Sequence, residues 1–147
     1  MLAACLLVAG TLRATLPAPE FTVEWRHSIE HTRWRERYAV TTDGIVLAEA
    51  WIEGSGAGMD AGTDARFDGR GWRWTPALPP QREIALTLSP YTADYEICAA
   101  GRCRTLHAWV DLAPDTTARV TIRPCTVDLP PSDAQRTPAP ASAPSRE

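Results

Sequence analysis

Short runs that alternate apolar and polar residues, each stopped by glycine, proline or aspartate, constrain this chain more than any other feature. Phe21-Thr22-Val23-Glu24-Trp25 alternates, which is the period of a strand with one buried face. Trp34, Glu36, Tyr38 and Val40 share one side of a second such run, and Arg33, Arg35 and Arg37 lie on the other. TTDG then supplies a turn, with Gly44 free to take positive φ, and a third strand follows from Ile45 to Glu53. ARFDGRGWRWTP reads as a short strand, an Asp68-Gly69 turn and a strand through Trp72 and Trp74. Ile84, Leu86 and Leu88 alternate again. SPYTADYEICAAGRCRTLHAWV reads as a turn, a strand, a hairpin loop and another strand, and a last strand passes through Val120 and Ile122. No helical period of useful length is present. This grammar predicts an all-β chain, a single small antiparallel β-sandwich or partly open barrel.

The two ends differ from the middle. Met1 to Leu12 is apolar or small and uncharged, the length of the apolar part of an export signal but without the usual basic stretch before it. Twelve residues are too few to cross hydrocarbon about 30 Å thick as a helix. Residues 1–18 are therefore expected to be a signal-like or truncated membrane-anchor segment, with an ordinary buried segment as the plainer alternative. Leu2-Ala3-Ala4-Cys5 also carries the residue pattern of a bacterial lipoprotein box, although the apolar run continues past the cysteine. A β domain is expected over 20–127. From about Asp128 the composition shifts to Pro, Ala, Ser and Thr, which predicts a disordered tail over 128–147.

Net charge is -3, with 15 basic residues against 18 acidic ones, so there is no electrostatic case for a nucleic-acid partner. Every basic residue is arginine, which suits forked pairing with carboxylates. Cys98 and Cys103 flank AAGR, and a disulfide across that hairpin is geometrically allowed, with two reduced buried cysteines as the alternative. A zinc site is the weaker reading, since no second close cysteine pair completes it. No metal and no cofactor is expected.

Arg26 to Tyr38 concentrates two histidines, two glutamates, four arginines and a tryptophan. His27, Ser28 and Glu30 fall where one strand turns into the next. Catalysis there would need nucleophile, base and orienting acid in mutual hydrogen-bond reach, which local spacing does not supply. A His27–His31 metal pair suits a helix face better than a hairpin. Glu36 is more telling. If its strand side faces inward, its carboxylate must be paired or protonated, and His27 or an arginine is the expected partner. GSGAGM, with Gly54, Gly56, Gly58 and Met59, has the glycines of a backbone nest able to hold an anion, but neither a Walker lysine nor a strand–turn–helix setting. Trp72 and Trp74 point the same way and suit either sheet packing or an exposed aromatic ledge.

Taken together, FTVEWRHSIEHTRWRERYAV, EAWIEGSGAGM, DGRGWRWTP, DYEICAAGRCR and the final RPC resemble the bacterial family DUF1850, from roughly Cys5 to Cys125. The resemblance rests on His27, Ser28 and Glu30, then Glu36, then Gly54, Gly56, Ala57, Gly58 and Met59, in that order. It implies a signal-like or anchoring start. It also implies genes placed beside those of tripartite (TRAP-type) solute transporters, hence a periplasmic accessory role in the uptake of organic anions. It assigns no catalytic residue. Where the family has a lysine after its His-Ser-x-Glu element, this chain has His31, which supplies positive charge only when protonated.

The expected function is thus non-enzymatic: an accessory of a membrane transporter in the periplasm or cell envelope, binding a TRAP-type component, its binding protein or an organic anion. His27, Ser28, Glu30, Glu36, Gly54, Gly56, Gly58 and Met59 are the candidate binding residues. A stand-alone ligand-binding module, or a small hydrolase or isomerase using His27 and Glu36, is the alternative.

Overall fold

Left-handed turn residues set the hairpins. Ala9 and Gly10 both have positive φ and join β1 (Leu2–Val8) to β2 (Thr11–Leu16), and Ala100 and Gly101 do the same between β9 (Glu96–Ala99) and β10 (Arg102–Thr105). Gly44, at φ 135°, starts β5 (Gly44–Glu53) after β4 (Arg33–Thr41); a Cβ there would come 2.5 Å from the Gln81 carbonyl oxygen. The remaining elements are β3 (Glu20–Arg26), β6 (Arg66–Phe67), β7 (Gly71–Trp74), β8 (Ile84–Leu88), α1 (Leu106–Val110) and β11 (Ala118–Thr126). This computed structural model describes residues 1–27, 29, 31–54 and 64–128.

The strands form two antiparallel sheets packed face to face, an open β-sandwich. One has the order β2-β1-β11-β8, the other β10-β9-β3-β4-β5-β7-β6. Leu6, Leu16, Val120 and Ile122 from the first sheet meet Phe21, Val23, Val40 and Ile97 from the second, all almost fully buried. The Phe21 and Tyr38 rings stack at 5.3 Å across β3 and β4. Two devices close the flanks. Backbone hydrogen bonds between Ile45 and Gln81 join one side. On the other side α1 packs against β10 and β2, and the Arg13 guanidinium donates to the Val110 and Asp111 carbonyls at 2.9 and 2.8 Å.

Two stretches sit differently from their first reading. The stretch read as a signal-like or anchoring segment, or else an ordinary buried one, forms β1 and β2 of the first sheet. β1 sits between β2 and β11, with Ala3, Ala4 and Leu6 at 0% exposure. A short apolar run has the same hydropathy whether it is a leader or a strand buried on both faces, so periodicity could not separate them. Cys5 belongs to that strand and is disulfide-bonded to Cys125, so its sulfur is not a free thiol for lipidation. Second, His107 was expected in a strand, but TLHAWV turns into α1. Its buried residues Leu106, Trp109 and Val110 stand at i, i+3 and i+4, a helical spacing too brief to register as a period. Residues 129–147, which hold nearly all of the expected tail, lie outside the described residues.

Candidate functional site

The inner face of the larger sheet continues past the main core at one end, where β3 ends and β4 begins. The pairing register sets Trp25 opposite Trp34 and Trp34 opposite Ile52. Trp34 stacks on Trp25 and on His27, both with ring centroids 6.0 Å apart, and Trp25 meets Tyr95 edge-on at 5.9 Å. The β3–β4 turn is shaped by backbone bonds, with the His27 N–H donating to Thr32 (2.8 Å) and the His31 N–H donating to His27 (3.0 Å). His31 takes φ 56°, and the Arg26 guanidinium donates to its carbonyl at 3.1 Å. The His27 ring Nδ1 accepts the Ile29 N–H at 3.4 Å.

The β8–β9 segment stands opposite this turn. Ser89 Oγ accepts the Tyr91 N–H at 3.2 Å. Asp94 holds the far end of the segment. It accepts the Tyr95 N–H (2.8 Å) and the His107 N–H (3.2 Å), and pairs with His107 Nδ1. The Leu106 N–H also donates to the Tyr95 carbonyl at 2.8 Å. The segment is thereby tied to the start of α1. Thr105 Oγ1 lies 3.5 Å from His107 Nε2, which is long for an activated hydroxyl. The arrangement is a tether rather than a nucleophile.

Between turn and segment lies a cleft of about 620 Å³, with Trp25, Arg26, His27, His31, Tyr91 and Tyr95 in its lining. No carboxylate lines it among the described residues, and hydroxyls of Thr87, Ser89 and Thr92 do. Two large apolar side chains stand out beside it, Ile29 at 80% exposure and Tyr91 at 92%. Next to the turn, the Thr32 hydroxyl and the Trp34 indole N–H are buried without a hydrogen-bond partner among the described residues.

Glu36 does face inward, on the same side of β4 as Trp34 and the buried Tyr38 and Val40. Its partner is neither His27 nor an arginine but the Tyr38 hydroxyl, which donates to Oε2. Burial raises the Glu36 carboxyl above its ordinary value, and the Tyr38 bond opposes that only in part. The Tyr38 phenol is itself pushed up, first by burial and then by Glu36. Tyr95 is raised by burial too, then by the charges of Glu36 and Asp94. Trp34 comes between His27 and Glu36: its ring stacks with His27, and Glu36 lies two residues further along β4.

The arginines of the opposite face are paired and wet. Arg35 donates to Glu24 at 3.0 Å and lies over the Trp51 ring at 5.1 Å, Arg37 reaches Glu20 at 3.4 Å, and Arg33 lies 3.8 Å from Glu24. Such exposed pairs contribute roughly 0–1 kcal/mol each. A second hollow of about 490 Å³ on this face has Arg33, Arg35, Arg70 and Arg73 in its lining, but Glu53 and Asp68 line it as well. Four guanidiniums stand against those two carboxylates, but Arg33 and Arg35 also pair with Glu24, and Arg73 pairs with Glu49 and Asp68.

Of the glycine segment, Gly54 is described. It has φ 99°, its N–H donates to the Arg70 carbonyl at 2.8 Å, and it leaves β5 beside Glu53, whose carboxylate accepts the Arg33 N–H at 3.2 Å. The segment thus starts at the same end of the sheet as the β3–β4 turn. Ser28, Glu30, Gly56, Ala57, Gly58 and Met59 lie outside the described residues. Cys98 and Cys103 form a disulfide across the β9–β10 hairpin. Glu96 lies close to both sulfurs, but while they are bonded to each other neither offers the thiolate that a metal would need.

Sequence reasoning missed Arg26, Tyr91, Asp94 and Tyr95 as site residues. The aromatic content of SPYTADY, with three polar turn-formers around two tyrosines, was the available signal.

Residues 21–106 match the model of a family described as "Domain of unknown function (DUF1850)". No curated protein and no solved structure matches the chain.

Proposed function

The chain belongs to the DUF1850 family, and on that footing we propose that it is an exported organic-anion-binding domain, an accessory of a membrane solute transporter of the tripartite type. The observation that carries this reading is the sign of the cleft. Its described lining offers a guanidinium, two imidazoles, three aliphatic hydroxyls and two phenols, and no carboxylate. A guanidinium stays charged at any physiological pH and matches a carboxylate with two parallel hydrogen bonds. The volume, about 620 Å³, suits a small molecule.

Export is supported by the cysteines. Both pairs are disulfides, which persist in oxidising compartments. No helix among the described residues is long and apolar enough to cross a membrane. The link to a transporter rests on the gene neighbourhood that the family resemblance brings with it, and the exposed Ile29 and Tyr91 beside the cleft give a protein partner apolar contacts.

Calorimetry of the purified protein against a panel of carboxylates tests the binding step. One-site binding that Arg26→Gln abolishes is expected; absence of heat and of any thermal shift across the panel overturns it. Cross-linking in the native cell envelope, from a residue introduced at position 91, tests the partner. Capture of a transporter subunit or its binding protein is expected. If binding occurs and neither is captured, the domain is a stand-alone binding module.

A further inference from the structure

We infer that the cleft selects aromatic monocarboxylates over aliphatic dicarboxylates. This inference rests on the anion-binding reading of the same cleft and narrows the ligand class.

The cleft's apolar wall is aromatic. Trp25 and Tyr95 line it, and their rings meet edge-on at 5.9 Å. Trp34 does not line the cleft but stacks on Trp25 at 6.0 Å and 22°, and on its other neighbour, His27, at 28°. The wall is thus held by contacts on the protein side, before any ligand arrives. A ring laid on a fixed aromatic surface gains offset-stacking or edge-to-face contact with little ordering cost. An aliphatic chain gains area there but not the quadrupole match.

An aromatic wall alone would suit an organic cation equally well. The charges decide against one. Arg26 is in the lining, and the carboxylates that act on Tyr95 are already engaged. Asp94 is taken up by His107 and by two backbone N–H groups. Glu36 is bonded by the Tyr38 hydroxyl. One permanent cation in the described lining matches one carboxylate. A second carboxylate on the same ligand would find no second permanent cation in the described lining, and only neutral donors would offset its desolvation.

The test uses the full oxidised chain, with benzoate and phenylacetate against succinate and malate, read by calorimetry and by quenching of tryptophan fluorescence. The aromatic acids should bind at least tenfold more tightly. Trp25→Leu should erase that preference while leaving weak carboxylate binding, and Arg26→Gln should weaken the aromatic acids at least tenfold. Trp25 packs against the core, so Tyr91→Ala, at a side chain 92% exposed, serves as the variant whose folding is not at stake. It should cost the aromatic acids severalfold and cost succinate clearly less. Equal or tighter binding of succinate or malate overturns the aromatic selectivity while leaving the anion reading intact. Binding of none of the four, with none across the wider carboxylate panel, overturns both. A Trp25→Leu protein that folds and keeps the preference also overturns the selectivity.

Discussion

The Tyr38 hydroxyl donates a hydrogen bond to the Glu36 carboxylate, two residues away on the same inward face of β4. With one phenol as its hydrogen-bond partner among the described residues, the carboxylate is half-satisfied in a place where burial already disfavours its charge. Glu36 is therefore raised above its ordinary 4.5 in the folded protein. The native state then binds more protons than the unfolded chain across the interval between the two values. Glu36's contribution to stability is fully present below about 4.5 and is lost as pH rises through the folded value. Glu36→Gln keeps an acceptor for Tyr38 and removes the charge. It should raise stability at pH 8 by on the order of 1 kcal/mol and be near neutral at pH 4. Urea denaturation at the two pH values measures this, and equal effects at both would contradict the assignment.

Asp68 shows the opposite linkage. Its carboxylate accepts the backbone N–H groups of Arg70 and Gly71, both at 2.9 Å, and the Trp51 indole N–H at 3.0 Å. Those bonds, the Arg70 one foremost, hold it down to about 2 from an ordinary 3.8. Its contribution is present above the ordinary value and lost as pH falls toward about 2. Asp68→Ala should lower the melting temperature at pH 7 and do so much less at pH 2. Carboxyl titration by NMR should place Asp68 as an early-ionising group.

The two disulfides should differ in worth. Cys5 and Cys125 are 120 residues apart, Cys98 and Cys103 only 5. On loop-closure entropy the long link contributes about 5 kcal/mol and the short one about 2 kcal/mol. Replacing Cys5 and Cys125 together by alanine should therefore destabilise far more than replacing Cys98 and Cys103. Chemical denaturation of the two double variants compares them directly.

Gly71 marks a contact without slack. A Cβ there would come 2.2 Å from the Ile52 carbonyl oxygen and 2.8 Å from the Trp51 ring. Gly71→Ala must push β7 away from β5, at a cost of roughly 1–3 kcal/mol. Faster amide exchange in β7, but not in β1 or β11, is the expected signature.

Ala100 is the converse case. It occupies left-handed space at φ 51° before Gly101, where asparagine is better tolerated. Ala100→Asn should stabilise the β9–β10 hairpin by roughly 0.5 kcal/mol, visible as a small rise in the denaturation midpoint. A loss of stability would mean that the turn is not of this type.

The sequence by itself determined most of the strands from β3 onward and how their side chains divide between two sides. Two-residue alternation is local: it set Trp34, Glu36, Tyr38 and Val40 on one side of β4 and Arg33, Arg35 and Arg37 on the other, and the fold turned the first side inward. The hairpin at Ala100-Gly101 and the turn at Gly44 were equally legible, because glycine's freedom is a property of one residue. The tertiary structure decided what periodicity does not encode. β1 is a run buried between two neighbours, and its place depends on pairing with β11, more than a hundred residues away. α1 is too short to show a period and is held instead by Arg13 and Asp94. Glu36's partner depended on side-chain reach along one strand face. The cleft brings Arg26 and His27 up against Tyr91 and Tyr95, residues of separate strand connections with no spacing in common. Local pattern fixes the face on which a side chain lies; long-range strand pairing fixes what it meets there.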